Sequence, residues 1–191
     1  VLHSLGLTIH AHKIWGECDF VILSQGGIFV IEVKGGGVEC HDGTWIFTKN
    51  TGIKNTKKEG PFEQAKTAMF AVKDFIESNS DYKRLLYGYG VIMPDEVFDQ
   101  NGPEIELNVL LDKRNIDDTL ENFIRCLSRF WKNNYSVKHN SSPTMPDKKM
   151  LEEIRLILRP EIKTVYTLNT SFSQICQEQV ELTEEQCGIL H

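Results

Sequence analysis

The sequence has few cysteines, and their spacing fits neither a metal site nor a disulfide framework. The five cysteines are odd in number and include no C-x-x-C pair. A zinc site and a set of structural disulfides are therefore both unexpected, and a reducing compartment is favoured. There is also no run of about 18 apolar residues and no visible signal peptide. We therefore expect a soluble, cytoplasmic protein with no membrane partner.

The chain also lacks an excess of positive charge. Its 21 Lys and Arg residues are outnumbered by 27 Asp and Glu residues, which gives a net charge of −6. This balance argues against a protein that binds nucleic acid through bulk charge, although bound cations and local lysine clusters can offset the acids. One such cluster is predicted to be a loop, and it contains Lys49, Lys54, Lys57 and Lys58. For this loop, contact with phosphate and simple exposure to solvent both remain open.

The most informative segment is a predicted β-hairpin over residues 16–34. Two apolar runs flank the loop Ser24-Gln25-Gly26-Gly27, and a short loop that contains glycine is typical of a hairpin. If residues 24–27 form the loop, Asp19 on the first strand faces Glu32 on the second. Like charges that face each other destabilise a sheet. Such a conflict with local preference is often found at a functional site.

The two carboxylates are suited to hold one divalent cation. Opposed Cβ atoms lie about 4.5–5.5 Å apart, and oxygen ligands of this kind suit Mg²⁺. Lys34 lies on the same strand face as Glu32, because side chains alternate along a strand. Two acids and a lysine around a divalent ion indicate attack on a phosphate, and the alternative is a solvated strand end. The glycine run 35–37 would let the backbone approach a ligand closely or turn sharply.

A helix is predicted to begin at Pro61, and it contributes a glutamine. Proline is favoured in the first turn of a helix. Apolar residues follow at intervals of three and four along one face, at Phe62, Ala65, Met69, Val72 and Ile76. Gln64 falls in the first turn, where side chains and free N–H groups can contact an anion or a water. On the residues alone, an exposed glutamine with no role in a site is the favoured interpretation.

Together these motifs resemble the nuclease-related domain (NERD) of the PD-(D/E)xK nuclease superfamily. The resemblance covers residues 1–80 and rests on Gly16-Glu17-Cys18-Asp19-Phe20, on Gly27-Ile28-Phe29-Val30-Ile31-Glu32-Val33-Lys34-Gly35-Gly36, on Trp45 and on Gly60-Pro61-Phe62-Glu63-Gln64-Ala65. It implies metal-dependent hydrolysis of DNA phosphodiester bonds. By the resemblance, Asp19 and Glu32 would bind Mg²⁺ or Mn²⁺, Lys34 would be the catalytic lysine, and Gln64 would support the site. We add the Val33 carbonyl as a third metal ligand.

The sequence departs from this family pattern at two places. Cys18 stands where the superfamily has a proline before the first acid. Many relatives also carry an acidic residue on a helix before the hairpin, and residues 1–15 contain no Asp or Glu. We therefore expect the chain to be a fragment from which that helix is missing.

Strands interleaved with helices indicate the α/β class. The resemblance implies a restriction-endonuclease-like fold, in which a mixed central sheet is flanked by helices. Further strands are predicted over 85–93 and 105–111, and an amphipathic helix over 118–133. We predict a nuclease-like domain over 1–135, a linker with a short helix over 136–180, and the start of a helicase-like domain over 181–191.

The segment Leu182-Thr183-Glu184-Glu185-Gln186 resembles the Q-motif that opens UvrD-like superfamily 1 helicase domains. The alternative is a helix capped by Thr183. The resemblance implies a helicase domain in the same full-length chain, with the nuclease module attached to it. This chain has no Walker P-loop, so we expect no ATP hydrolysis. Two other functions remain open, namely a non-catalytic module that binds DNA or protein and an interaction domain that binds no nucleic acid.

Overall fold

The structure is a computed structural model that describes residues 1–7, 16–49, 51–117 and 119–161. The chain divides into two compact units, Val1–Pro160 and Glu161–His191. The helicase-like motif at 182–186 lies outside the described residues. The first unit contains the strands β1 Leu2–Leu7, β2 Gly16–Ser24, β3 Gly27–Val33, β4 Gly37–His41, β5 Thr44–Thr48, β6 Lys54–Lys57, β7 Tyr87–Met93 and β8 Leu110–Asp112. Its helices are α1 Pro61–Ser78, α2 Leu120–His139 and α3 Lys148–Leu158.

A mixed five-stranded sheet forms the centre of this unit, in the order β1-β2-β3-β7-β8. The β1–β2 and β2–β3 pairs are antiparallel, whereas β3–β7 and β7–β8 are parallel. Strand β3 is central and almost continuously apolar, as expected for a strand that is covered on both faces. The α/β class with a mixed central sheet is therefore confirmed, and the architecture is compatible with a restriction-endonuclease-like fold.

Helices cover both faces of the central sheet. On one face, Gly90 lies so close to Phe123 and Leu127 of α2 that a Cβ atom there would meet their side chains. Neighbouring positions of a strand point to opposite faces, and the adjacent Tyr89 is buried. Helix α1 packs against β3 and β7, and α3 packs against α1 and β2. The hairpin strand that carries Glu32 is thus enclosed by helices.

The predicted register of the hairpin is confirmed. Paired positions run from Phe20 opposite Ile31 to Ser24 opposite Gly27. Strand β2 ends at Ser24 and β3 begins at Gly27, so two residues of the predicted loop connect the strands and the other two belong to them.

A second antiparallel sheet, in the order β4-β5-β6, follows the glycine run. Part of the predicted lysine loop forms the edge strand β6, whose four residues are all exposed. The prediction failed there because main-chain pairing with β5 does not depend on apolar side chains, and lysine is common on edge strands. Trp45 of β5 is buried against Phe98 and against Gly60 at the start of α1. This sheet therefore packs beside the first turn of α1.

The predicted helix α1 is confirmed, including its buried apolar face, whereas α2 runs six residues beyond the predicted end at 133. The polar residues Asn133 and Asn134 suggested a loop, but Tyr135 packs against the core and continues the helix. The predicted division at residue 135 therefore falls inside α2.

No helix in the described part of the chain is long and apolar enough to cross a membrane.

A buried carboxylate holds the segment between β7 and β8. Here the predicted strand 105–111 is replaced by a 3-10 turn, Leu107–Val109, followed by the short strand β8. Asp112 is 2% exposed, accepts the backbone N–H groups of Phe98 and Arg114, and pairs with the Arg114 guanidinium. The hydrogen bond from Arg114 is the main cause that holds the pKa of Asp112 below its usual value.

Replacing this carboxylate should destabilise the fold and alter its response to acid. We expect Asp112→Ala to lower the free energy of unfolding by about 2–3 kcal/mol, because the buried Phe98 N–H loses its acceptor. A carboxyl with a lowered pKa stabilises the fold above its ordinary pKa, and that contribution is lost as the pH falls through the lowered value. Urea unfolding at neutral and acid pH should therefore show a weaker acid dependence in the variant than in wild type.

Asp99→Ala is the matched control for Asp112→Ala. Asp99 pairs with the same Arg114, but its side chain is 67% exposed, and exposed ion pairs contribute at most about 1 kcal/mol. Equal losses of stability in the two variants would contradict the role of the buried carboxylate.

Candidate active site

Asp19, Glu32 and Lys34 lie where β2 and β3 part. The ladder between these strands ends at Phe20 opposite Ile31. One step further, the backbone N–H of Val33 donates to Oδ2 of Asp19 over 2.8 Å. The Asp19 side chain thus takes the place of a main-chain acceptor. Asp19 and Glu32 therefore both lie just past the end of the ladder and are not one of its paired positions, and their joint role as metal ligands stays a prediction.

Glu32 is buried, and its charge is balanced mainly by one lysine. The residue is 6% exposed, and its Oε1 atom accepts a hydrogen bond from Nζ of Lys34. Burial raises the pKa of Glu32 above its ordinary value, and the nearby Asp19 carboxylate adds to this rise. The positive charges of Lys34 and Lys57 oppose it. The Asp19 carboxylate is therefore near enough to affect the charge of Glu32.

The ammonium of Lys34 is held from two sides. It pairs with Glu32, and it also lies 5.3 Å from the centre of the Phe47 ring on β5. The Lys34 side chain is 16% exposed. An ammonium over an aromatic face gains a favourable electrostatic interaction. The second sheet thus forms one wall of the site and restricts where the lysine can move.

The backbone of Val33 is directed toward Asp19. Lys34 N–H donates to Ile92 on β7 over 2.9 Å, so the backbone groups of the preceding residue point to the β2 side. The Val33 carbonyl therefore points toward β2, the strand that carries Asp19.

The candidate metal ligands are the two carboxylates and the Val33 carbonyl. All of them are oxygen ligands, which fit a hard cation such as Mg²⁺. Within the described residues, no three His, Cys, Asp or Glu side chains converge on one point. Mg²⁺ commonly uses one or two carboxylates and completes its shell with water and substrate phosphate. The pair Asp19 and Glu32 is compatible with that arrangement.

The contact that the structure gives Gln64 is local. Its Nε2 atom donates to the backbone carbonyl of Glu59, just before α1 begins, over 2.6 Å. The side chain lies in the first helical turn, as predicted. Its role in supporting the site stays a prediction.

Sequence reasoning missed Asp95, which fixes the bend after Lys34. Its Oδ2 atom accepts the backbone N–H of Gly36 over 2.7 Å. A signal was present in the sequence, since an aspartate directly follows Pro94 at the end of a predicted strand.

Lys57 is the member of the lysine cluster that acts on the charge of Glu32. The sequence did not distinguish it from the other three lysines.

The family model of the nuclease-related domain matches residues 1–93. The matched segment ends at the last residue of β7 and contains Asp19, Glu32, Lys34 and Gln64. No curated protein and no solved structure matches the chain. The similarity therefore supports a nuclease-related module and covers every candidate site residue.

Proposed function

We propose that the first unit is a metal-dependent nuclease of the PD-(D/E)xK type that hydrolyses phosphodiester bonds in DNA. The observation that carries the proposal is the buried pair of Glu32 and Lys34 beside Asp19. This pair lies inside the segment that matches the nuclease-related domain. A buried acid with a second acid and a lysine within reach is costly for stability, and perturbed groups of this kind are enriched at catalytic sites.

Each side chain has a separate role in this proposal. Asp19, Glu32 and the Val33 carbonyl would hold one Mg²⁺ or Mn²⁺, which lowers the pKa of a bound water and polarises the phosphate. The Nζ atom of Lys34 would orient that water and offset the negative charge that develops on the phosphate. Phe47 keeps this ammonium in place. Gln64 would support the site from the start of α1.

A second candidate is a non-catalytic module that binds DNA or a protein. One observation favours it: Asp19 and Glu32 both have partners within the protein, namely the Val33 N–H and the Lys34 ammonium. Carboxylates that already have protein partners can persist for structural reasons. For either function, we propose that the chain is attached to a helicase domain in a longer protein and that the protein is cytoplasmic. Both of these proposals rest on the sequence.

Two measurements on the same protein test the proposal. Mn²⁺ should raise the melting temperature, because a ligand that binds only the folded state stabilises it. The protein should then cleave labelled single-stranded or double-stranded DNA in the presence of Mg²⁺ or Mn²⁺. Asp19→Asn should remove both the thermal shift and the cleavage, because it removes one charged ligand.

The matched control is Asp42→Asn, which makes the same substitution in the exposed β4–β5 turn. Asp42 has a positive φ of 49°, and asparagine tolerates this conformation. The control should keep both responses. A thermal shift without cleavage of any DNA would favour the binding module, and the absence of both responses in wild type would rule out the metal site.

A further inference from the structure

A positively charged cleft lies at the opposite end of β7 from the candidate active site. Its volume is about 620 Å³. Its walls come from the C-terminal half of α1, from the segment just before β7, and from the end of α2. Its charged and hydroxyl side chains are Lys73, Glu77, Lys83, Arg84, Tyr135 and Ser141, and His139 completes the lining.

Arg84 lines this cleft, and its backbone is restrained. Its backbone has a φ of 61°, a conformation that is uncommon for residues other than glycine. Thr144 holds the backbone there: its N–H donates to the Arg84 carbonyl over 2.8 Å, and its carbonyl accepts the N–H of Leu86 over 3.2 Å. The position of the Arg84 side chain therefore starts from a restrained backbone.

The guanidinium of Arg84 is held by hydroxyl groups. Its Nη2 atom donates to Oγ of Ser141 over 2.8 Å, and its Nε atom lies 3.5 Å from the hydroxyl of Tyr135. Among the described residues, no carboxylate lies within ion-pair distance of this guanidinium. A positioned arginine without an acidic partner is available to an anion.

The other charges of the cleft leave it positive. Lys73 pairs with Glu77 over 3.1 Å and with the exposed Asp74 over 3.7 Å, so these three side chains together carry one negative charge, which Lys83 and Arg84 outweigh. Lys83 donates to the backbone carbonyls of Glu77 and Ser80, which are neutral acceptors. In a chain with a net charge of −6, this is a local reversal of sign.

We propose that this cleft binds a phosphate group through the guanidinium of Arg84. The planar fork of an arginine matches two phosphate oxygens. The Tyr135 and Ser141 hydroxyls can donate to an oxygen that the arginine leaves free. The restrained backbone lowers the entropy lost on binding, and Lys83 adds to the positive field.

The phosphate can belong to a free phosphate or nucleotide, or to the backbone of DNA. The DNA case rests on the proposed function. Arg84 precedes Val91, the partner of Glu32 in the sheet, by seven residues. An extended strand rises about 3.3 Å per residue, and the chain turns at Arg84, so the cleft is at most about 23 Å from the candidate active site. One strand of DNA covers this distance in about seven nucleotides, at about 3.4 Å each.

Pyrophosphate binding to the metal-free protein tests the cleft directly by calorimetry. Arg84→Asn should weaken binding about tenfold, as expected when a charged hydrogen-bonding group is lost. Asparagine tolerates a positive φ, so the variant should melt no lower than wild type. Arg125→Gln is the matched control, because Arg125 is exposed on α2 and pairs with Glu121. It removes the same charge and should leave affinity nearly unchanged.

Asp19→Asn separates this proposal from the nuclease proposal. It should bind pyrophosphate as tightly as wild type, because the cleft and the candidate active site lie at opposite ends of β7. Phosphate binding in the cleft is therefore tested independently of DNA cleavage. The phosphate site is overturned if wild type does not bind pyrophosphate at millimolar concentration, or if Arg84→Asn and Arg125→Gln bind it equally well.

Labelled duplexes identify the source of the phosphate. Wild type should bind a duplex of about 18 base pairs more tightly than a hairpin-closed duplex of about 4 base pairs, which spans only about 14 Å and is too short to reach both places. Arg84→Asn should remove that gain if the ligand is DNA. An Arg84-dependent affinity for pyrophosphate, with no Arg84 effect on either duplex, would assign the cleft to a free phosphate or a nucleotide.

Discussion

Replacing Lys34 with methionine should slow DNA cleavage by about 10²–10³-fold while metal binding persists. In the proposed mechanism, the lysine offsets charge that develops only in the transition state, and removal of one such donor has an effect of about this size. Methionine keeps the unbranched stem and can pack on the Phe47 ring. Loss of the Lys34–Glu32 pair also frees a carboxylate that a cation would otherwise share with the ammonium. We therefore expect the Mn²⁺-dependent thermal shift to be retained or enlarged.

The rate should be measured in single turnover at saturating metal and at mildly alkaline pH. Lys34 lowers the pKa of Glu32, so the variant needs a higher pH to keep this carboxylate ionised. Lys57→Met is the matched control, because Lys57 also acts on the charge of Glu32 but belongs to an exposed strand. It should change the rate by less than about tenfold. If Lys34→Met cleaved DNA at the wild-type rate, the catalytic role of this lysine would be contradicted.

The parts of the fold that the sequence predicted well are those set by local patterns. The hairpin register follows from two apolar runs and a short loop with glycine, since a shift by one residue would turn every side chain to the other face. Helix α1 follows from Pro61 and from an apolar face with helical spacing. Both patterns are complete within about 20 residues, and both agree with the structure.

The parts that the sequence predicted poorly depend on distant contacts. Strand β6 has no apolar side chain and forms because β5 provides main-chain partners. The last turns of α2 contain Asn133 and Asn134, which disfavour helix, and packing of Tyr135 overrides that preference. Strand β8 starts later than predicted because a 3-10 turn at Leu107 precedes it.

In the candidate site, too, some features follow from local sequence patterns and others depend on distant contacts. The approach of Asp19 and Glu32 follows from the hairpin alone, and so does the position of Lys34 on the same strand as Glu32. The binding of Asp19 to the Val33 N–H was not predictable, because it requires the β2–β3 ladder to end while β3 continues to pair with β7. The contact of Lys34 with Phe47 depends on a second sheet whose position relative to the first is set by the glycine bend.

That bend gives the largest expected effect on stability. Gly36 has a φ of 79°, and a Cβ atom there would lie 2.0 Å from the carbonyl oxygen of Thr48. Gly36→Ala should lower the free energy of unfolding by about 2–5 kcal/mol. A positive φ costs an alanine about 1–2 kcal/mol, and overlap with a backbone atom adds about 1–3 kcal/mol. Urea unfolding of the two proteins measures the difference.

Gly43→Ala isolates the steric part of this effect. Gly43 has a similar φ of 70°, but no atom lies within 4 Å of the position that its Cβ would occupy. Its alanine variant should lose only the conformational contribution of about 1–2 kcal/mol. Equal losses at the two glycines would show that Thr48 can move away without cost. Because the Gly36 bend connects Lys34 to the sheet that carries Phe47, we expect only Gly36→Ala to reduce DNA cleavage under conditions where both variants are folded.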